Sequence, residues 1–271
     1  RKLRHMAPNA LIICGLWYPE GLLATLAGVG PRVILAHGLE LRPTRQRWRR
    51  QVWSWLMRLV LHRAALVVAN SRYTEGLVHV RAPKATVAAL PLGVDHRRFR
   101  PGDQQEARRR LAVPERKRVL ATVSRIVRHK GHRLVFQALA ALPEAARDSF
   151  VYLVAGQGPD LARLQQEAEA LGLADVVRWL GYVPEADLPE LYRSADLFAL
   201  CTREDPDQPD VEGFGLAFLE AQACGIPVVG TRTGGIPDAI ADGRGGWLID
   251  QDDAGALTSA LASGMPPVRV P

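Results

Sequence analysis

Residues 211–230 read VEGFGLAFLEAQACGIPVVG. Gly213 and Gly215 flank Phe214, an apolar helical stretch runs on to Cys224, and the segment closes on a short β-branched run at 228–230. Just upstream, residues 197–200 form another apolar run, LFAL. Strand, loop, helix, strand in that order is the crossover that joins parallel strands. Glycines between the first strand and the helix let a ligand approach the backbone. The unbonded N–H groups at the helix start suit a phosphate.

The same alternation extends in both directions. Short apolar runs lie at 11–14, 32–36, 66–69, 86–90, 118–123, 151–155, 177–180, 197–200, 228–230 and 247–249. They lack a clean two-residue alternation, as strands covered on both faces do. Helical stretches at 45–62, 73–80, 132–141, 160–171, 186–194 and 214–224 fall between them. The repetition predicts an α/β fold of doubly wound, Rossmann-like parallel sheets. Ten strands are too many for one such sheet in this length, so we expect two sheets, of four strands and then six. The expected division is a partial first domain over 1–100, a linker over 101–117 rich in charge, proline and glycine, and a second domain over 118–271.

Composition narrows the class. Among 271 residues, 48% are hydrophobic and 23% charged, which excludes disordered, collagen-like and coiled-coil chains. No apolar run reaches the roughly 20 residues of a membrane span. The three cysteines, Cys14, Cys201 and Cys224, are isolated and read as buried, reduced small hydrophobes, without a disulfide or a zinc site. Residues 1–115 hold 20 Lys/Arg against 7 Asp/Glu, while the rest of the chain is net acidic. The basic part is suited to an anionic membrane, nucleic acid or a phosphorylated substrate. Nucleic acid is disfavoured, because no binding motif is recognised and aromatics do not form a stacking platform.

Individual residues carry the chemistry. Glu220 sits among apolar neighbours on the helix after Gly215, where a carboxylate needs a partner. It lies about 9 Å along the axis from Phe214, a reach from a diphosphate at the helix start to a ribose. Glu212 lies on the other side of that start, where a transferred sugar would sit; a capping Glu212 and a partly exposed Glu220 also fit the spacing. In SRIVRHKGHRL, 124–134, Arg125 and Lys130 fall on a loop at a strand's carboxyl end, where two cations can neutralise a diphosphate. Arg128, His129 and Arg133 share that stretch, so charge alone does not select the pair. VAGQGP, 154–159, reads as a tight turn before a helix and not as a dinucleotide fingerprint. His37 and Glu40 follow the strand at 32–36. EDPDQPD, 204–210, reads as a solvated loop without calcium-loop spacing. The helix at 45–62 carries Trp48, Val52, Trp55, Leu56 and Leu59 at helical spacing, with Arg42, Arg45, Arg47, Arg49, Arg50 and Arg58 around them. Docking on an anionic membrane is one reading, and packing on the sheet is the other.

Taken together, these motifs resemble the retaining glycosyltransferases of the GT-B fold, in the large family four, or group 1, and within it the mannosyltransferase-like branch. The resemblance rests on Glu212-x7-Glu220 with GFG inside it, on ACGIPVVGTRTGGIPDAI, SRIVRHKG, AGQGPDLARLQ, LGYVPEADLPELYRSADLFAL, PLGVDHRRFRP and AHGLEL. It implies two Rossmann-like domains facing a cleft. It implies hexosyl transfer with retention from a nucleotide sugar, GDP-mannose ahead of UDP-hexoses, to a saccharide or lipid-linked hydroxyl. Neither a metal nor a cofactor is implied. Arg125, Lys130 and Leu216 match positions at the donor diphosphate, Phe214 and Gly215 the sugar, Val183 the base and Glu220 the ribose. His37 and Glu212 match the catalytic positions beside the transferred sugar. The implied location is cytoplasmic, with peripheral contact at the inner membrane face. The family's opening glycine-rich loop and its last helices have no match here. An incomplete first domain and a truncated second are therefore expected, with nucleotide binding but little transfer by this chain. The rival from another class is a non-catalytic nucleotide-sugar-binding protein.

Overall fold

A computed structural model describes residues 10–42, 47–204 and 210–263, with the side chains of 47–50 and 263 left out. Among the described residues, ten strands form where the apolar runs lie: β1 (Ile12–Cys14), β2 (Arg32–Ala36), β3 (Leu66–Ala69), β4 (Val87–Ala89), β5 (Arg118–Val123), β6 (Phe150–Ala155), β7 (Val177–Gly181), β8 (Leu197–Leu200), β9 (Val228–Thr231) and β10 (Gly246–Ile249). The helices are α1 (Leu22–Ala27), α2 (Arg47–Arg63), α3 (Arg72–Arg81), α4 (Gln104–Arg110), α5 (His132–Ala140), α6 (Glu144–Arg147), α7 (Leu161–Ala170), α8 (Leu188–Ser194), α9 (Leu216–Ala223), α10 (Ile236–Ala239) and α11 (Ala254–Ser263). The expected partition into four strands and six holds. One sheet has the order β1-β2-β3-β4 and the other β10-β9-β8-β5-β6-β7, and every pairing is parallel.

The chain divides into two compact units. Among the described residues, one holds those up to Leu92 together with 210–214, and the other holds Gly93–Glu204 and those from Gly215 to 263. In the first, Ile34, Leu41, Val60, Leu61, Val67 and Val78 make a core between the sheet and α2 and α3. Ser71 caps α3 by accepting from the Thr74 N–H (3.1 Å), which satisfies one of the donors that a helix start leaves over.

In the second unit the strands are mostly apolar, as strands covered on both faces are, with Arg118 and Thr122 on β5, Arg178 on β7 and Thr231 on β9 as the polar exceptions. β8 and β9 are buried at every position. Phe136 meets Tyr152 and Trp179 edge-on, and Phe198 does the same with Tyr192 and Phe218. The chain leaves the central strand β5 in one direction through β6 and β7, then returns to add β8, β9 and β10 on the other side. The topological switch therefore lies between β5 and β8, and ligands of open α/β sheets bind outside the carboxyl ends of the strands there.

The short α1, α6 and α10 and the ten-residue α11 were not among the expected helices, and two further differences bear on the domain boundary. The stretch 101–117, expected as a linker, contains α4, capped by Asp103 accepting from Glu106 N–H (3.0 Å) and packed on α8. The helix buries only Ala107 and docks through polar groups: Gln104 bonds to the Ala195 carbonyl and Arg108 to the Ser194 carbonyl and Asp196. With no apolar stripe it left no periodic signal. In addition, 210–214 counts with the first unit, although the expected boundary placed it in the second.

Candidate functional site

The loop leaving β5, residues 124–131, is held on both sides by backbone. From β6 and its turn, Ser124 N–H bonds to the Ala155 carbonyl, Ile126 N–H to Gln157 (2.9 Å), and Asp160 N–H returns to the Ile126 carbonyl (3.2 Å). From the end of β8, Arg203 N–H bonds to the His129 carbonyl (2.7 Å). Three glycines allow this approach. A Cβ on Gly131 would fall on the Cys201 carbonyl, one on Gly156 on the Ser124 carbonyl, and one on Gly158 on the Ile126 carbonyl. Gly131 and Gly156 also have positive φ, +72° and +139°. The VAGQGP glycines therefore buttress the cationic loop, a role that the tight-turn reading missed.

On this loop Arg125 is exposed and Lys130 half-buried. Arg133 makes an ion pair with Glu167 (2.8 Å). Beneath the loop lies a buried polar chain. Thr122 donates to the Ala199 carbonyl (2.5 Å) and meets the Tyr152 hydroxyl (2.8 Å). His132 sits between that hydroxyl (3.4 Å from Nδ1) and Ser124 Oγ (3.2 Å from Nε2). Burial, aided by Lys130 and opposed by Asp160, pushes the His132 pKa down to about 4. The imidazole is therefore neutral at pH 7.

Helix α9 opens from Gly215 (φ +98°), with Leu216 exposed and no acidic side chain in its first turn. Phe214 is buried, and Phe218 anchors the helix on β8. Glu220 is half-buried and accepts a hydrogen bond from the Tyr192 hydroxyl on α8 (2.6 Å, at Oε2). Burial raises its pKa, the Tyr192 bond and Arg98 lower it, and Glu185 raises it. Arg98 also ties down the turn that follows Val183, through an ion pair with Glu185 (3.1 Å) and a bond to its carbonyl. Glu185, two residues after Val183, and Glu220 thus both interact with Arg98. Tyr182, beside Val183, is 68% exposed.

In the first unit, His37 is exposed at the end of β2. Its N–H donates to Glu40 Oε1 (2.7 Å) and its carbonyl accepts from Asn70 (3.3 Å). Gly213, next to Glu212, lies so close to the His37 carbonyl that a Cβ there would overlap it. The structure therefore brings His37 beside the Glu212–Gly213 segment within this unit, whereas Glu220 belongs to the other. Asn70 escaped the sequence reading; its only signal was a polar Asn-Ser pair directly after β3.

Two parallel-sheet units, with cations and a helix start at the switch point of the second, define a GT-B glycosyltransferase fold. The UDP complex of HepE from Anabaena superposes with a TM-score of 0.77 at 25% identity, covering 90% of this chain and 65% of that one. Residues 103–265 match the model of the glycosyl transferases group 1, and the chain belongs to that family. It is 36% identical, over 89% of its length, to the GDP-mannose-dependent alpha-(1-6)-phosphatidylinositol monomannoside mannosyltransferase of Mycolicibacterium smegmatis, covering 62% of that protein. It is 35% identical over 72% of its length to the D-inositol 3-phosphate glycosyltransferase of Corynebacterium jeikeium, covering 48% of that protein. The chain thus spans less than two thirds of each of these relatives.

Proposed function

We propose that this chain binds the donor of a retaining, metal-independent hexosyltransferase, which passes a sugar from a nucleotide sugar to a saccharide or lipid-linked hydroxyl. The observation that carries the reading is the backbone-clamped loop at the switch point, with Arg125 and Lys130 on it. Preorganised cations stabilise a diphosphate leaving group without reorganising at the moment of reaction. In this reading Arg125, Lys130 and Leu216 attend the diphosphate. Phe214 and Gly215 attend the sugar, Val183 with the flat face of Tyr182 the base, and Glu220 the ribose. Glu212 and His37 act at the transferred sugar, and the departing diphosphate takes the acceptor proton in a front-face displacement.

GDP-mannose is the favoured donor, because the relative at 36% identity carries that dependence in its name. A UDP-hexose is the second reading, supported by the UDP complex of HepE. A thermal-shift screen of GDP, UDP and ADP with their sugars separates the two, since a ligand of the native state raises its stability by mass action. Stabilisation by GDP and GDP-mannose above the uridine and adenine series is expected. No response to any of them would remove the donor reading.

Peripheral contact with an anionic membrane on the cytoplasmic face belongs to the same proposal. Helix α2 turns Met57, Val60 and Leu61 inward, and Trp53 and Leu56 pack against the same core. It leaves Val52 (58%) and Trp55 (62%) exposed, three residues apart on another face. Of the residues first grouped with them, Arg45 and the side chains of Arg47, Trp48, Arg49 and Arg50 lie outside the described part. Among the described residues no helix is long and apolar enough to cross a membrane. Flotation with anionic vesicles at low salt tests the contact.

A further inference from the structure

We propose that Tyr192 is a positioning residue that presents Glu220 to the nucleotide ribose. The proposal rests on Glu220 being the ribose acceptor. Tyr192 is fully buried and fixed by edge-on contacts to Phe198 (5.6 Å) and Phe99 (6.0 Å). Its hydroxyl is therefore a donor with no freedom to wander, and it donates to Glu220 Oε2 at 2.6 Å. One oxygen of the carboxylate is thereby fixed in direction by the α8 phenol, and Oε1 is assigned to the ligand. A vicinal diol offers two O–H donors and an ionised carboxylate four lone-pair sites, so Tyr192 takes part of that capacity and orients the remainder. The charged groups acting on Glu220 from the surrounding elements are Arg98, from the segment before α4, and Glu185, after β7. Arg98 is already engaged with Glu185, and the hydrogen bond to the carboxylate comes from Tyr192. Two consequences follow. Without the hydroxyl the carboxylate can turn, which weakens discrimination for the ribose diol. Without it the ionised form also loses a donor, so protonation sets in at higher pH.

The test compares the native chain with Tyr192→Phe, which keeps the ring contacts and drops only the hydroxyl. Binding of GDP, UDP and their 2′-deoxy counterparts is measured by calorimetry across a pH series from about 5 to about 8, because burial raises the Glu220 pKa. The expected result is a native preference for the ribonucleotide that falls about three- to tenfold in Tyr192→Phe, with the acid limb of its binding curve moved to higher pH. Should Tyr192→Phe fail to fold, Tyr192→Met removes the hydroxyl with a flexible apolar side chain and serves the same comparison. An unchanged ribose preference and unchanged acid limb in a folded variant would overturn the role of Tyr192. If the native chain itself shows no preference, and Glu220→Gln changes nothing, the ribose reading of Glu220 has failed, and the Tyr192 proposal falls with it.

Discussion

In the six-stranded sheet β8 and β9 are buried along their whole length, whereas in the four-stranded sheet β4 has no fully buried residue and Ile13 on β1 is 64% exposed. The loops at the strand ends differ in the same way. The loop after β5 is gripped by main chain on both sides, at contacts that only glycine permits. The loop after β2 is tied mainly by side chains, Glu40 to the His37 N–H and Asn70 to its carbonyl. A backbone clamp is stiff and intolerant of any added atom. A side-chain tether gives way one hydrogen bond at a time. A group that must meet a diphosphate in a fixed geometry belongs on the first kind of support.

The largest effect should come from adding one methyl group to the clamp. Gly131→Ala places a Cβ on the Cys201 carbonyl in a left-handed residue. We expect a loss of about 4 kcal/mol in chemical denaturation, at the upper end for a single substitution, together with loss of nucleotide binding. A stable variant that still binds nucleotide would break the comparison at its root.

The buried His132 gives the next effect, through pH. Its native pKa of about 4 lies below the roughly 6.5 of an unfolded histidine. Between those values the unfolded chain binds a proton that the native chain does not. Its contribution is therefore fully present above about pH 6.5 and is lost as pH falls toward 4, by about 3 kcal/mol in all. Denaturation midpoints measured down that range should decline, and His132→Gln should flatten the decline. An equal slope in the variant would place the titration elsewhere.

The smallest effect is expected in the first unit. Asn70→Ala removes one tether to the His37 carbonyl and should cost about 1 kcal/mol, with nucleotide affinity unchanged. A large fall in that affinity would mean that the side-chain tether matters to the donor site as much as the clamp does.

The strands were legible because each is a short apolar run, and nearly all begin and end within a residue of expectation. Helix α9 was legible from its glycine frame. What escaped has physical reasons. Helix α4 docks through Gln104 and Arg108 rather than through an apolar stripe. The short α6 and α10 span less than two turns. Gly156 and Gly158 carry no sign in sequence that their neighbour in space is the β5 loop. The bond from Tyr192 to Glu220 joins helices 28 positions apart, and no local pattern encodes such a pairing. The segment before α9 was assigned by continuity with its helix, but its contacts lie with the first unit.

The central claim is that the clamped loop after β5 holds a nucleoside diphosphate through Arg125 and Lys130. Calorimetric titration of GDP and UDP into the native chain and into Arg125→Ala and Lys130→Ala tests it, with Arg133→Ala as the control already engaged by Glu167. Each of the first two variants should weaken binding by about 1.5–3 kcal/mol, as loss of a charge-assisted bond does, while the control should bind like the native chain. Native affinity retained in both Arg125→Ala and Lys130→Ala would contradict it.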